Sequence, residues 1–198
     1  MALGIHRSFG RAFVLIVLGL VGGPGCDAGG DRPGPAAEEP SEPLTHGQIL
    51  AVVSTLDQGE IKNAETARLR STDMAVRAYA QRIGAEHQEA ETRIQMLQAM
   101  LRVTQEESEL QASVRRDVVR TEVMLNEVPA DRFDVTYLDA QIAMHQRTLT
   151  LFDAQLIPNA ESLELQTFLR DTRAVLQKHL AHARLLRARL PAAPGGGV

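Results

Sequence analysis

Glu60, His87, His145 and His179 fall on apolar stripes at helical spacing, each on a different segment of the chain. A carboxylate and imidazoles that project inward from separate helices are how helical bundles build metal sites. Neutral imidazole suits Zn, Cu or Fe, and a carboxylate offsets part of the ion's charge. Glu91, one turn after His87, and Gln141, one turn before His145, are placed to hold the outer nitrogens of those rings. The competing reading has no metal. Each ring then bonds a neighbouring carboxylate or carbonyl, and Glu60 pairs with a histidine or an arginine. His46, in a capping turn, and His182, at a helix rim, are expected in water. Tyr79 and Tyr137 are expected to pack with their hydroxyls at the boundary.

Long helices must carry these residues. Between Gln48 and Leu190 the only glycines are Gly59 and Gly84, and the only prolines are Pro129 and Pro158. Excluding breakers from a stretch rich in Ala, Leu, Gln, Glu and Arg is what long helices require. No period-2 segment suggests a sheet. Thr45 to Gln48 fits a capping box stapled by Leu44 and Ile49, and Thr104 to Glu107 fits a second. Asp134 is expected to cap the helix after Pro129, and Ser71 or Thr72 to mark the first break. Helices are therefore predicted near 45–70, 73–102, 105–127, 134–157 and 160–190. The stripes run through Ile49, Val53, Leu56 and Glu60; Tyr79, Ile83 and His87; Val114 and Val118; Leu138, Ile142 and His145; Leu176, His179 and Ala183. Such helices joined by short turns form an all-α, antiparallel, up-and-down bundle of four to five helices over 44–190.

Axial level limits which polar residues meet. With the first turn centred between Ser71 and Thr72, Glu60 and His87 are out of step by roughly 6 Å at 1.5 Å per residue. With the last turn near Asn159, His145 and His179 are out of step by roughly 9 Å. The first gap is the easier to close.

The first 26 residues read as an address. Arg7 and Arg11 precede the apolar run Ala12–Val21, too short for a stable spanning helix, and Gly22-Gly23-Pro24-Gly25 leads from it to Cys26. This resembles a bacterial lipoprotein signal, although Gly23 stands where Leu is usual. Cys26 would be lipidated and tie the protein to the periplasmic face of the inner or outer membrane. The other option is a secretory peptide that leaves Cys26 as a free thiol. One cysteine excludes an internal disulfide. Residues 27–43, rich in Pro, Gly, Ala and Glu, read as a disordered tether, and 191–198 as a disordered tail. Removal of 1–26 leaves 19 basic against 25 acidic residues, a net charge of −6. An acidic body without Trp is a poor nucleic-acid binder, so membrane contact is expected through the anchor alone.

At these positions the chain resembles a bacterial family catalogued as domain of unknown function 4142. The matching segments are Gly59-Glu60-Ile61, Val76 to Ala80 leading to Glu86-His87, Phe133 to Leu138 leading to His145, and Leu176 to Leu180 around His179. Glu86 and Met144 stand where that family commonly has Asp. The resemblance implies an exported protein with a ferritin-like helical bundle, and it draws attention to Glu60, His87, His145 and His179. It implies no settled activity.

No Glu-x-x-His pair, G-x-S-x-G, phosphate-binding glycine loop or His-Glu-x-x-His occurs. A binding or envelope-structural role therefore ranks above catalysis, with no catalytic residue nominated. The sharper expectation is a transition-metal site at Glu60, His87, His145 and His179. The alternative is an interaction scaffold with a structural His/Glu network.

Overall fold

A computed structural model describes residues 42–191. The address segment with Cys26, the tether up to residue 41 and the tail from residue 192 lie outside the described residues. Those described are all helical, without a strand: α1 (His46–Arg70), α2 (Met74–Leu101), α3 (Glu109–Glu127), α4 (Phe133–Leu151) and α5 (Leu163–Arg187). No helix among them is long and apolar enough to cross a membrane.

Capping sets where the helices begin. The Thr45 hydroxyl accepts from the Gln48 N–H, and the Gln48 side chain accepts from the Thr45 N–H, both at 3.1 Å, so the first capping box forms. Asp73 caps α2, Ser108 caps α3 and Ser162 caps α5. The box expected between Thr104 and Glu107 does not form; α1 holds Glu106, which lies between them, and Ser108 caps α3 instead. Thr45 donates to the Glu106 carboxylate at 2.7 Å, and the Glu106 N–H donates to the Gly47 carbonyl at 3.3 Å. Helix α3 then starts later than predicted. Asp134 is not a cap either. Its carboxylate accepts from the Thr72 hydroxyl and the Asp73 N–H, both at 3.2 Å, and so ties the start of α4 to the α1–α2 corner.

Beyond α4 the chain widens into a π turn over Phe152–Leu156, followed by one last helical turn, Ile157–Asn159. Pro158 has no N–H to give and its ring crowds the carbonyl four residues back. Widening the preceding turn, with the Ile157 N–H donating to the Phe152 carbonyl, relieves both problems.

The most extensive helix contacts are α1 with α2, α1 with α3, and α4 with α5. Helix α3 starts beside Gly47 and ends beside Arg70, so it runs parallel to α1 on its outer side. The Arg70 guanidinium closes that end, donating to the carbonyls of Leu125, Asn126 and Val128 and lying 4.8 Å from the Phe133 ring centre. Gly59 permits this approach, since a Cβ there would sit 2.5 Å from a Val118 methyl. Successive helices alternate in direction, but α3 serves as a crossover. The remaining four run up, down, down, up, the connection found in ferritin-like bundles.

Two apolar clusters fill the bundle. One joins Ile49, Val53, Ile94, Phe152, Leu165 and Phe168; the other joins Ala64, Val76, Ile83, Phe133, Leu138 and Ala183. Along each of α1, α2, α4 and α5, buried polar residues separate the two: Asp57 and Glu60, His87, Gln141 and His145, and His179. Tyr79 and Tyr137 are wholly buried, hydroxyls included, contrary to the boundary position expected of them.

Candidate metal centre

The polar layer brings together the three histidines singled out by spacing. His87, His145 and His179 each offer a ring nitrogen, and these atoms lie within 4.8 Å of one another. All three rings are at most 4 % exposed. The levels of His145 and His179, expected to differ by roughly 9 Å, match in the fold. The turn between α4 and α5 centres later than Asn159, because the π turn and the Ala160–Ser162 link extend it.

Each ring is held from behind. The His87 Nδ1 meets the Asp57 carboxylate at 2.7 Å, the His145 Nδ1 meets the Gln141 carbonyl at 2.9 Å, and the His179 Nε2 meets the Glu86 carboxylate at 2.5 Å. A carbonyl or carboxylate can only accept, so the nitrogen facing it carries the hydrogen. In a neutral ring the other nitrogen is then a bare lone pair: Nε2 of His87, Nε2 of His145 and Nδ1 of His179. The last two lie 3.3 Å apart. The His87 Nε2 is buried without a hydrogen-bond partner.

Lone pairs facing one another at that distance repel unless a cation lies between them. A proton is one candidate, but burial works against it: it lowers the His145 pKa and brings that of His179 down to about 4. His87 differs. Burial alone would lower its pKa, but the hydrogen bond and charge of Asp57, with Glu60 and Glu86 nearby, outweigh burial and raise it. Burial likewise raises the Asp57 pKa, against the pull of His87.

Glu60 stands beside this group. One carboxylate oxygen accepts from the Gln141 amide at 2.8 Å, and the other lies 3.7 Å from the His145 Nδ1. It therefore lies on the Nδ1 side of that ring, and it shares the wall of a small cavity with Asp57, His87 and His145. Gln141 in turn accepts from the Tyr79 hydroxyl at 3.1 Å. Glu91 does not hold His87; Asp57 does. At the rim Glu86 also accepts from Arg82 at 2.7 Å, and with both partners its pKa is lowered although burial alone would raise it. His182 packs edge-on to Tyr79, and His46 accepts the Glu161 N–H.

Asp57 and Glu86 escaped the reading from spacing. Asp57 was legible in principle, because it and His87 are equidistant from Thr72, the centre of the α1–α2 turn. Glu86 had no such signal, since it lies just off the buried stripe of α2.

These features define an all-α bundle with a buried, carboxylate-backed histidine cluster. A family description, domain of unknown function (DUF4142), matches residues 31–186, and the chain belongs to that family. No curated protein and no solved structure matches it.

Proposed function

We propose that this chain is a metal-binding protein of the bacterial cell envelope, exported, lipid-anchored at Cys26, and holding one transition-metal ion between His87, His145 and His179. The observation that carries the metal reading is the trio of imidazoles whose outer nitrogens are all fastened to acceptors, so that their three remaining ring nitrogens converge. Metal-ligating histidines are held in just this way, by a carboxylate or carbonyl on the other nitrogen. Charge supports it as well. Glu60 is buried with no lysine or arginine bonded to it, its nearest basic group being the His145 ring, whose pKa burial lowers, and an unpaired buried carboxylate costs several kcal/mol. A cation at the triad would offset that charge and replace the proton that His87 shares with Asp57. Three nitrogen donors in a dry site suit Zn, Cu or Fe. Glu60 steadies Gln141, and through it His145, from outside the ligand set.

The envelope and anchor parts rest on residues 1–26: Arg7 and Arg11, the apolar run, and Cys26. Radiolabelled fatty acid incorporated into the wild type and absent from Cys26→Ser supports the anchor, and equal label in both contradicts it.

The test of the metal reading is the metal content of the purified full chain beside its His145→Ala variant. About one ion per chain in the first and little in the second is expected. Equal metal in both, or none in either, leaves the alternative, a structural network. That alternative draws on the Tyr79–Gln141–Glu60 chain, which bonds without any ion.

A further inference from the structure

Two carboxylates and two of the three rings border one space. A cavity of about 10 Å³, room for one water-sized molecule, has Asp57, Glu60, His87 and His145 in its wall. The rest of that wall is apolar or carries a threonine hydroxyl, so the rings are its only basic groups. Asp57 accepts from the His87 Nδ1–H through one oxygen and keeps the other buried without a partner.

The charges around this space do not balance. At the rim Glu86 is matched by Arg82, and Arg93 by Asp171. Tyr79 and Tyr137 stay neutral, since burial first and the charge of Glu60 second raise their pKa. Glu91 is half-buried, its pKa raised chiefly by burial, and it does not border the cavity. Asp57 and His87 share one proton, so that pair is neutral whichever holds it, and Glu60 stands as one net negative charge. An ion that takes the His87 nitrogen displaces the proton, and Asp57 then counts as a second negative charge. Two positive charges cancel the layer. A singly charged ion leaves one carboxylate uncompensated, which is costly in a site this buried.

We infer that Glu60, together with Asp57, sets the charge of the ion: the centre selects a doubly charged metal over a singly charged one, and Glu60 is a specificity-determining residue that acts from outside the ligand set. This rests on the metal reading above and narrows it. Zn(II), Cu(II) and Fe(II) fit, whereas Cu(I) leaves one negative charge and Fe(III) adds one positive.

The experiment measures the reduction potential of copper bound to the full chain, in the wild type and in Glu60→Gln, with the Cu(II) and Cu(I) affinities taken separately by competition with chromophoric chelators. The new amide oxygen can still accept from Gln141, so only the charge is removed. At an effective dielectric of about 20, losing one negative charge beside the ligand rings weakens Cu(II) relative to Cu(I) by roughly ten- to a hundredfold. At about 59 mV per tenfold, the potential rises by about 60–120 mV. Asp57→Asn should raise it in the same sense, a second reading if Glu60→Gln does not fold. Glu60→Asp keeps the charge and should stay near the wild type. A loss of packing alone weakens both ions alike and leaves the potential where it was. Copper on the wild type with a potential that the two neutral variants leave unmoved or lower overturns this inference alone. So does a Glu60→Asp potential as high as that of Glu60→Gln. Neither copper nor zinc bound by the wild type overturns the metal reading and this inference together.

Discussion

Replacing Asp57 by Asn keeps an acceptor for the His87 Nδ1–H and removes only the charge behind it. The amide oxygen can occupy the place of the carboxylate oxygen now 2.7 Å from the ring, so tautomer and ring orientation are retained. What is lost is the basicity that the carboxylate lends to the ring, a change that typically costs 10–100-fold in metal affinity. At a free metal concentration about 100 times the wild-type Kd, bound metal stabilises the fold by about 2.7 kcal/mol. The variant, at the same concentration, retains about 0.4–1.4 kcal/mol of that. For a domain of this size the difference lowers the Tm of the metal-loaded form by about 3–9 °C. Calorimetric titration with Zn(II) and thermal melts with and without metal measure both quantities. The pH dependence moves in the opposite sense. Without the negative charge of Asp57, His87 gives up its proton more readily, and the midpoint of metal uptake shifts to lower pH. Unchanged affinity together with an unchanged midpoint would refute the coupling of Asp57 to the centre.

Further expectations follow from the same geometry. Metal uptake by the wild type should release about one proton per ion, measured in weakly buffered solution. His87, whose pKa is raised above 6.5, is the ring that must give one up, whereas His145 and His179 are already neutral. Uptake therefore weakens as pH falls through the His87 value; release of three protons would contradict this. In the metal-free protein, the His87 contribution to stability is fully present below its unfolded pKa, about 6.5, and is lost as pH rises through the folded value. Denaturant melts of wild type and His87→Gln should diverge on the acid side of that window and converge above it. Gly59→Ala should destabilise the fold by about 1–3 kcal/mol, because the added methyl meets Val118 at 2.5 Å and outweighs the gain in helix propensity. A stabilised variant would show that α3 does not close on α1 there. Arg70→Ala should cost about 2 kcal/mol in urea melts by freeing the carbonyls at the end of α3, with metal stoichiometry unchanged.

The helical period placed Glu60, His87, His145 and His179 inside, and all four are buried, because a residue on an apolar stripe of a packed helix has nowhere else to go. The period says less about which of them touch. That depends on where each turn is centred, and a π turn caused by Pro158 shifted the α5 register enough to bring His179 level with His145. Helix α1 hid Asp57 for another reason. It is packed by α2 on one side and α3 on another, so Ile49 to Ser54 are buried without interruption and no single stripe describes it. The Thr104 capping box does not form: Glu106, between its two members, is held by Thr45 and Gly47 at the start of α1, and α3 begins at the Ser108 cap instead. Export, anchor and tether rest on residues beyond those described.

X-ray absorption at the zinc edge of the Zn(II)-loaded full chain reads the ligand set directly. Three imidazole nitrogens at about 2.0–2.1 Å, with one lighter-bound oxygen or nitrogen beside them, are what this account predicts. A shell of oxygens without the imidazole scattering pattern, or one that survives the simultaneous loss of His87, His145 and His179, would contradict it.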